Sequence, residues 1–360
     1  VKILLSAWYL KDFNVGLGRY VRSLIPSLAA IDRTNDYEIA MPVAQPAFRS
    51  NANVHYRTIR IPFFKRRVWE QAIPWLCGPH DILHLPYDSC VIRKRGKLIV
   101  TIHDLKPLLF NTGRYSRPLI ERLYVQDRRT VIDHVVTASN ASSTDIQRLL
   151  GYPSDRVTVV YPGVDSQQFR PAESAIAGDV PYVFAVAAAD PTKNIETLIQ
   201  AFSRLPSSLR EQHKLVIAGD VRRRPELVQW VTKLGITPHT VFAGIVSDDQ
   251  LIKLYQQAAV FVFPSRYEGF GLPVLEAMAC GCPVISSNAA SLPEVVGPAG
   301  LLRDPSDVEG FTADMALLLG DASRRAIMRE RGLAQAAQFS WERTARELVT
   351  LYERVASVSS

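Results

Sequence analysis

Cysteine is scarce. Cys77, Cys90, Cys280 and Cys282 are the only four in 360 residues, and their spacing gives no disulfide framework. That excludes a stapled secreted scaffold and reads as reduced thiols in a cytoplasmic protein. Cys280 and Cys282 form a C-G-C pair, but no second Cys or His cluster stands nearby in sequence to complete a zinc set. Long apolar runs are missing too. None approaches the ~20 residues of a membrane span. The opening V-K-I-L-L-S-A-W-Y-L soon meets Lys11 and Asp12, so it reads as a buried strand and not as a signal peptide. Internal repeats and low-complexity tracts are absent. Acidic residues run short in one half only. Residues 1–165 hold 23 Lys and Arg against 14 Asp and Glu, whereas residues 166–360 hold 19 against 21. The basic half suits an anionic partner (nucleic acid, anionic lipid or a phosphorylated substrate), or else is a solvated basic surface.

What the chain does have is an alternation of short β-rich runs and longer helical ones. Val1 to Ala7, D-I-L-H-L-P from Asp81, K-L-I-V-T-I-H from Lys97 and H-V-V-T-A-S from His134 read as strands. Gly18 to Ala30, interrupted by Pro26, and Pro118 to Ile132 read as helices. After V-Y-P-G at Val160 to Gly163 comes a polar, irregular stretch that reads as a hinge. The rhythm restarts at Tyr182, with strands there and at Lys214, Thr240, Ala259 and Pro283, and it closes on an amphipathic helix from Ser340. A chain of this length exceeds one compact core. The predicted class is α/β with two Rossmann-like, doubly wound domains: residues 1–165, residues 166–338, and a C-terminal helix over 339–360 expected to return to the first domain. Such sheets bind ligands beyond the C-terminal ends of their strands. A central cleft faced by both domains is therefore the expected site.

The most informative stretch is Arg266 to Pro283, R-Y-E-G-F-G-L-P-V-L-E-A-M-A-C-G-C-P. It follows a predicted strand. Gly269 and Gly271 allow a tight turn and close approach of the backbone to a ligand. Pro273 suits the first helical position, where its missing N–H would be unpaired anyway, and Gly281 suits the far end. The turn thus offers free backbone N–H groups at a helix N-terminus, a seat for phosphate. A carboxylate beside phosphate needs another purpose. Glu276, one turn in, can accept from the paired hydroxyls of a ribose, and Glu268, before the turn, from those of a sugar. The pattern fits a nucleotide diphosphate-sugar; both glutamates could otherwise be solvent-facing charges.

This stretch resembles the donor motif of the retaining glycosyltransferases of family four, which have the GT-B fold. Further segments resemble the family in order: G-L-G-R-Y from Gly16, T-I-H-D-L from Thr101, V-Y-P-G-V-D from Val160, D-P-T-K-N from Asp190, L-V-I-A-G from Leu215, F-A-G-I-V-S from Phe242, L-Y-Q-Q-A from Leu254 and S-L-P-E-V-V from Ser291. The resemblance implies a metal-independent hexosyltransferase that retains anomeric configuration and needs no cofactor beyond a UDP- or GDP-linked sugar as co-substrate. It places Glu276 on the ribose, Glu268 by the donor sugar, and the backbone of Gly269, Phe270, Gly271 and Leu272 on sugar hydroxyls and diphosphate. Lys193 neutralises the diphosphate and assists its departure. His103 contacts the donor sugar. Gly16 and Gly18 form a loop over the donor phosphates, with Arg19 and Asp104 on the acceptor side; Asp104 could equally be a helix cap. Val246 lies in the base-binding segment Phe242 to Val246. Many members carry an arginine five positions before the lysine, where this chain has Ala188 after Ala187. Arg266, or one of Arg222 to Arg224, is the expected substitute, or diphosphate binding is weaker.

The resemblance also assigns the acceptor, a saccharide or lipid-linked saccharide, to the basic first domain. There Arg60 to Leu76 interleaves basic residues with Phe63, Phe64, Trp69 and Trp75. That mixture suits docking on an anionic membrane surface, peripheral on the inner face of the plasma membrane. Gly16 and Gly18 do not make a dinucleotide fingerprint, because Val21 stands where its third glycine would be. The alternative is a nucleic-acid or anionic-partner binding protein on a GT-B scaffold without transfer activity. It leaves the 266–283 pattern unexplained, so no nucleic-acid partner is expected.

Overall fold

The computed structural model describes residues 1–11, 16–45, 50–61, 66–89, 91, 93–110, 128–173, 180–186 and 190–358. Most of the helix expected over Pro118 to Ile132 lies outside them. The chain forms two compact units, residues Val1–Gly163 with Ser340–Ser360, and Val164–Phe339.

Among the described residues the first unit holds seven parallel strands: β1 (Lys2–Ser6), β2 (Asp36–Met41), β3 (Val54–Thr58), β4 (Ile82–Leu85), β5 (Lys97–Thr101), β6 (His134–Thr137) and β7 (Val157–Val159), in the order β3-β2-β1-β4-β5-β6-β7. Alternation along β1 sends Ile3 and Leu5 into one apolar layer and Leu4 into the other. Both faces are therefore covered, as a parallel sheet requires. One layer includes the helix Gly16–Ile31 and the C-terminal helix Trp341–Ser357, whose Leu348, Leu351 and Tyr352 are buried against it. Pro26 does not interrupt the first of these helices, which continues through it to Ile31. The burial of Tyr20, Val21, Leu24, Ile25 and Leu28 on one stripe outweighs the one backbone hydrogen bond that proline forfeits. Strands β2 and β3 escaped the sequence reading. Gly163, in the expected hinge, closes this unit. A Cβ there would lie 2.1 Å from the Trp341 backbone nitrogen, so the close approach of the two segments requires glycine.

The second unit, among the described residues, holds six parallel strands: β8 (Tyr182–Val186), β9 (Lys214–Ala218), β10 (Thr240–Gly244), β11 (Val260–Phe263), β12 (Val284–Ser287) and β13 (Leu301–Arg303), in the order β10-β9-β8-β11-β12-β13. One face packs aliphatic side chains such as Val183, Ala185, Val260 and Val262 against the helices Ile195–Ser203 and Val308–Gly320. The opposite face carries an aromatic group, Phe184, Tyr255, Phe261 and Phe263, with ring centroids 5.2–5.8 Å apart. The strand order reverses between β8 and β11. That reversal opens a topological switch point beyond their C-terminal ends, where open α/β sheets bind ligands.

Candidate active site

Two loops leave that switch point. The one after β8 ends in the short turn Pro191–Lys193, capped by Asp190, whose Oδ1 accepts from the Thr192 amide at 2.9 Å and the Thr192 hydroxyl at 2.8 Å. Asn194 follows in the left-handed region at φ 56°, fully buried. Its amide donates to the carbonyls of Pro264 (2.9 Å) and Pro305 (2.7 Å), and its Oδ1 accepts from Thr197. Asparagine tolerates this backbone region better than most side chains. The three bonds hold it there.

The loop after β11 is stitched to the first. The Arg266 amide donates to the Thr192 carbonyl at 2.7 Å, and the Ser265 hydroxyl lies 3.1 Å from the same oxygen. Across this seam Lys193 Nζ donates to Glu268 Oε1 at 2.7 Å, with the two side chains only 16% and 10% exposed. Ser265 Oγ reaches the same carboxylate oxygen at 2.5 Å. Lys193 Nζ also stands 5.0 Å from the centre of the Phe263 ring, a cation–π distance.

Beyond Glu268 the chain turns at Gly271, φ 115°, into the helix Leu272–Ala279. A Cβ at Gly271 would lie 2.8 Å from a Leu292 methyl, so both backbone and space favour glycine. Ser291 braces the turn by donating to the carbonyls of Glu268 and Phe270, 2.9 and 2.7 Å away. Gly269 and Phe270 are buried, Phe270 edge-on to Phe339, while Leu272 is half-buried. Glu276 is buried in the second turn, its Oε2 receiving the Tyr255 hydroxyl at 3.2 Å. Beside it, burial and the Glu276 charge push the Cys280 thiol up to about 12, so it stays protonated. Val246 follows the edge strand β10, two residues past its last residue, Gly244.

The expected arginine substitutes divide sharply. Arg224 is buried between Glu196 and Glu226, and Arg222 and Arg223 pair with Asp220. These three are spent on local carboxylates. Arg266 is exposed, and no ion pair of it is present among the described residues. Ala187 and Ala188 lie outside those residues.

The first unit carries the other expected site residues. His103 follows β5, half-buried and edge-on to Tyr20 at 4.8 Å. Its Nε2 lies 3.1 Å from the Pro86 carbonyl, which can only accept, so Nε2 holds the proton and Nδ1 is an acceptor. Burial lowers the His103 pKa from its ordinary value, the Pro86 carbonyl opposing. Asp104 Oδ1 accepts from the Lys106 amide at 2.9 Å, but the N-cap of the helix that follows is Leu105, so Asp104 is not its cap. Gly16 opens the helix Gly16–Ile31 at an exposed position; Gly18 is buried and Arg19 half-buried. The Arg60–Leu76 segment needs correction. Trp69 is core, its Nε1 donating to the Ile59 carbonyl and its ring 5.2 Å from that of Trp8. Arg66 is tied to buried Glu70 and to the Tyr9 hydroxyl. Helical spacing turned these two inward and left Val68, Trp75 and Leu76 outside, 42%, 59% and 48% exposed. Phe63 and Phe64 lie outside the described residues. Among those residues no helix is long and apolar enough to cross a membrane, and no three His, Cys, Asp or Glu side chains cluster as a metal site.

Sequence reasoning missed Ser265, Asn194, Ser291 and Tyr255 as parts of the site. Asn194, Ser291 and Tyr255 act through contacts between 21 and 111 residues away, and Ser265 joins Glu268, three residues on, to Thr192, 73 residues back. Only the K-N step before a helix, with asparagine where a left-handed residue fits, carried a local signal.

Comparison with known proteins identifies the family. Residues 16–168 match the family Glycosyltransferase Family 4 and residues 166–335 the family Glycosyl transferases group 1. The O-antigen chain mannosyltransferase B of Escherichia coli is 30% identical over 98% of this chain and 100% of its own length. The MMP alpha-(1->4)-mannosyltransferase of Mycolicibacterium hassiacum is 34% identical over 77% of this chain and 71% of its own. Among solved structures, Anabaena HepE in complex with UDP-glucose superposes with a TM-score of 0.75 at 19% identity, covering 98% of this chain and 99% of that one. Sucrose-phosphate synthase from Thermosynechococcus elongatus gives 0.78 at 22%, covering 99% and 100%. The chain therefore belongs to the family-four glycosyltransferases of the GT-B fold, and it moves a sugar from a nucleotide-diphosphate sugar to a saccharide or lipid-linked acceptor.

Proposed function

We propose that the sugar moved is mannose, transferred with retention from a nucleotide diphosphate-mannose onto a growing cell-surface saccharide. The observation that supports the donor half is the gathering of Lys193, Glu268 and the Gly271 turn at the β8–β11 switch point. The mannosyl specificity rests on the E. coli and Mycolicibacterium relatives. In this reading the Lys193 ammonium meets the diphosphate, and the backbone of Gly269 to Leu272 meets diphosphate and sugar hydroxyls. Glu276, already accepting from Tyr255, takes the ribose hydroxyls. Arg266 is the second cation in reach of the phosphates. His103 presents Nδ1 to a sugar hydroxyl, and Gly16, Gly18, Arg19 and Asp104 serve the loop and acceptor side.

Chemically, the bond from the anomeric carbon to the phosphate oxygen breaks, and the acceptor oxygen attacks the same face. The acceptor proton passes to a phosphate oxygen of the leaving nucleotide. Charge grows on that diphosphate as the bond breaks, so a fixed ammonium favours the transition state over the ground state.

The test is melting temperature with UDP, GDP, ADP and CMP. Ligand at ~100 times its dissociation constant adds about 2.7 kcal/mol of stability. One diphosphate should raise the midpoint, name the base, and lose its effect in Glu276→Ala. Indifference to every nucleotide would sink the donor assignment. Incubation with the matching mannose and glucose nucleotides then decides the sugar.

A second reading concerns location. The exposed stripe Val68, Trp75 and Leu76, with exposed Arg67 on the same helix, supports docking on an anionic membrane surface. Vesicles containing phosphatidylglycerol should retain the protein, and Trp75→Ala with Leu76→Ala should release it. Equal retention on neutral phosphatidylcholine would count against the idea.

A further inference from the structure

The bond between Lys193 and Glu268 raises a question that sugar binding alone does not answer. Lys193 Nζ and Ser265 Oγ both converge on one oxygen, Glu268 Oε1, at 2.7 and 2.5 Å. The ion pair is largely enclosed, and both loops beneath it are fixed by Asn194 and the Thr192 carbonyl. A diphosphate that reaches Lys193 meets an ammonium that already has a carboxylate partner. Its own charge is then held within a few ångströms of that carboxylate, in a place where water screens poorly.

We propose that Glu268 is a positioning residue acting on Lys193, an internal anion that competes with the donor diphosphate for the same ammonium and recaptures it as the nucleotide leaves. The inference rests on the donor reading above and deepens it. Three consequences belong together. The pair holds Nζ at the switch point, where a free lysine would lose rotamer entropy on every binding event. Donor binding shifts the ammonium from carboxylate to phosphate, or makes it bridge both. After transfer the carboxylate opposes retention of the freed nucleotide diphosphate by drawing the ammonium back to itself. Ser265 fits this role. Its single hydroxyl proton, given to Oε1, keeps the carboxylate anchored when the lysine turns away.

The experiment is calorimetric titration of the full chain with whichever free nucleoside diphosphate stabilises the wild type. Glu268→Gln keeps the shape and removes the charge. It should bind that nucleotide about tenfold tighter, the scale of one charge-assisted bond that no longer competes for the ammonium. Its product inhibition should deepen in parallel while kcat falls. In a Lys193→Ala background the same change should do nothing to nucleotide affinity, because the competition runs through the lysine. A glutamate that only holds sugar hydroxyls predicts unchanged affinity for the free nucleotide, and that result overturns the proposal. So does tightening that persists without Lys193. If Glu268→Gln does not fold, Ser265→Ala read by the same titration decides: with its anchor removed the carboxylate competes less well, so tighter binding supports the proposal and unchanged binding refutes it. A wild type that binds no nucleoside diphosphate fails differently, since it removes the donor site itself.

Discussion

The two units share an architecture and differ in where they bury polarity. In the first, one group sits around the N-terminal side of the sheet. Asp32 takes hydrogen bonds from Thr34, Asn35 and Tyr37, and Asn53 donates to the carbonyls of Asp32 and Asn35. Burial works against the Asp32 carboxylate, yet those bonds hold it at about 2. A second group lies inside: His84 of β4 bonds to the Tyr352 hydroxyl at 2.6 Å and to Thr101 at 2.9 Å. In the second unit Ser265, Glu268, Asn194, Ser291 and Lys193 all stand past the C-terminal ends of β8 and β11. The same expense, polar groups withdrawn from water, ties segments together in one place and gathers groups at the switch point in the other. Position relative to strand direction separates scaffold from site.

The sharpest way to break the comparison is Lys193→Ala. If the switch-point polarity serves chemistry, kcat/KM should fall about 100- to 1,000-fold, as when one transition-state donor is removed. The melting midpoint should stay within a few degrees. A loss of folding without a prior loss of rate would make Lys193 scaffold.

Asn194→Ala and Asn53→Ala form the matched pair. Each removes a buried amide that donates to two backbone carbonyls. Each should cost roughly 1–3 kcal/mol for carbonyls left unpaired, and Asn194→Ala about 1 kcal/mol more for alanine at positive φ. Urea unfolding measures both. Only Asn194→Ala should also depress kcat/KM, because it sits between Lys193 and the helix Ile195–Ser203. Asn194→Gly, which relieves the backbone but not the bonds, should recover part of the stability and little of the rate.

The pH response should also separate the units. Burial lowers the pKa of His84 to about 3 and that of His134 to about 4, with His103 adding to the first effect and Arg354 and Arg156 to the second. Each ring is neutral in the folded state and gains a proton on unfolding below its ordinary pKa. The unfolded chain therefore binds more protons, so stability falls as pH drops from about 6.5 towards the folded values. One proton corresponds to about 1.4 kcal/mol per pH unit. Between pH 6.5 and 5.5 the first unit should lose on the order of 1 kcal/mol through His84, and His84→Asn should flatten that slope. A slope unchanged by the substitution would assign the proton uptake elsewhere.

How much of this was legible beforehand follows the same divide. The strands whose apolar runs are continuous, such as V-F-V-F in β11, announced themselves, because burial on both faces leaves no alternation to disguise. β2 and β3 did not: D-Y-E-I-A-M and V-H-Y-R-T are polar-rich, and their place is set by pairing to β1. Glu268 and Glu276 were legible from glycine spacing, which is local chemistry. Their partners Ser265 and Tyr255 were not, since a hydroxyl in a strand end or a helix looks alike whatever it will touch. Trp69 and Trp75 read identically in sequence. Only the phase of the helix Arg66–Leu76 against the sheet sends one to the core and the other outward.

The smallest expected effect tests the finest distinction, that among the four arginines. Arg222, Arg223 and Arg224 already face Asp220, Glu196 and Glu226, so a passing phosphate would have to displace a carboxylate at covalently enforced proximity. Among the described residues Arg266 has only its backbone committed, to the Thr192 carbonyl next to Lys193. An exposed guanidinium meeting phosphate across solvent is worth about 0.2–1 kcal/mol. Arg266→Ala should therefore weaken nucleoside diphosphate binding by no more than about fivefold. The loss should shrink as salt rises, because exposed charges are screened. Arg222→Ala should leave the affinity alone. If the two substitutions act equally, general positive field rather than placement attracts the donor, and the second unit owes less to its switch point than its buried groups suggest.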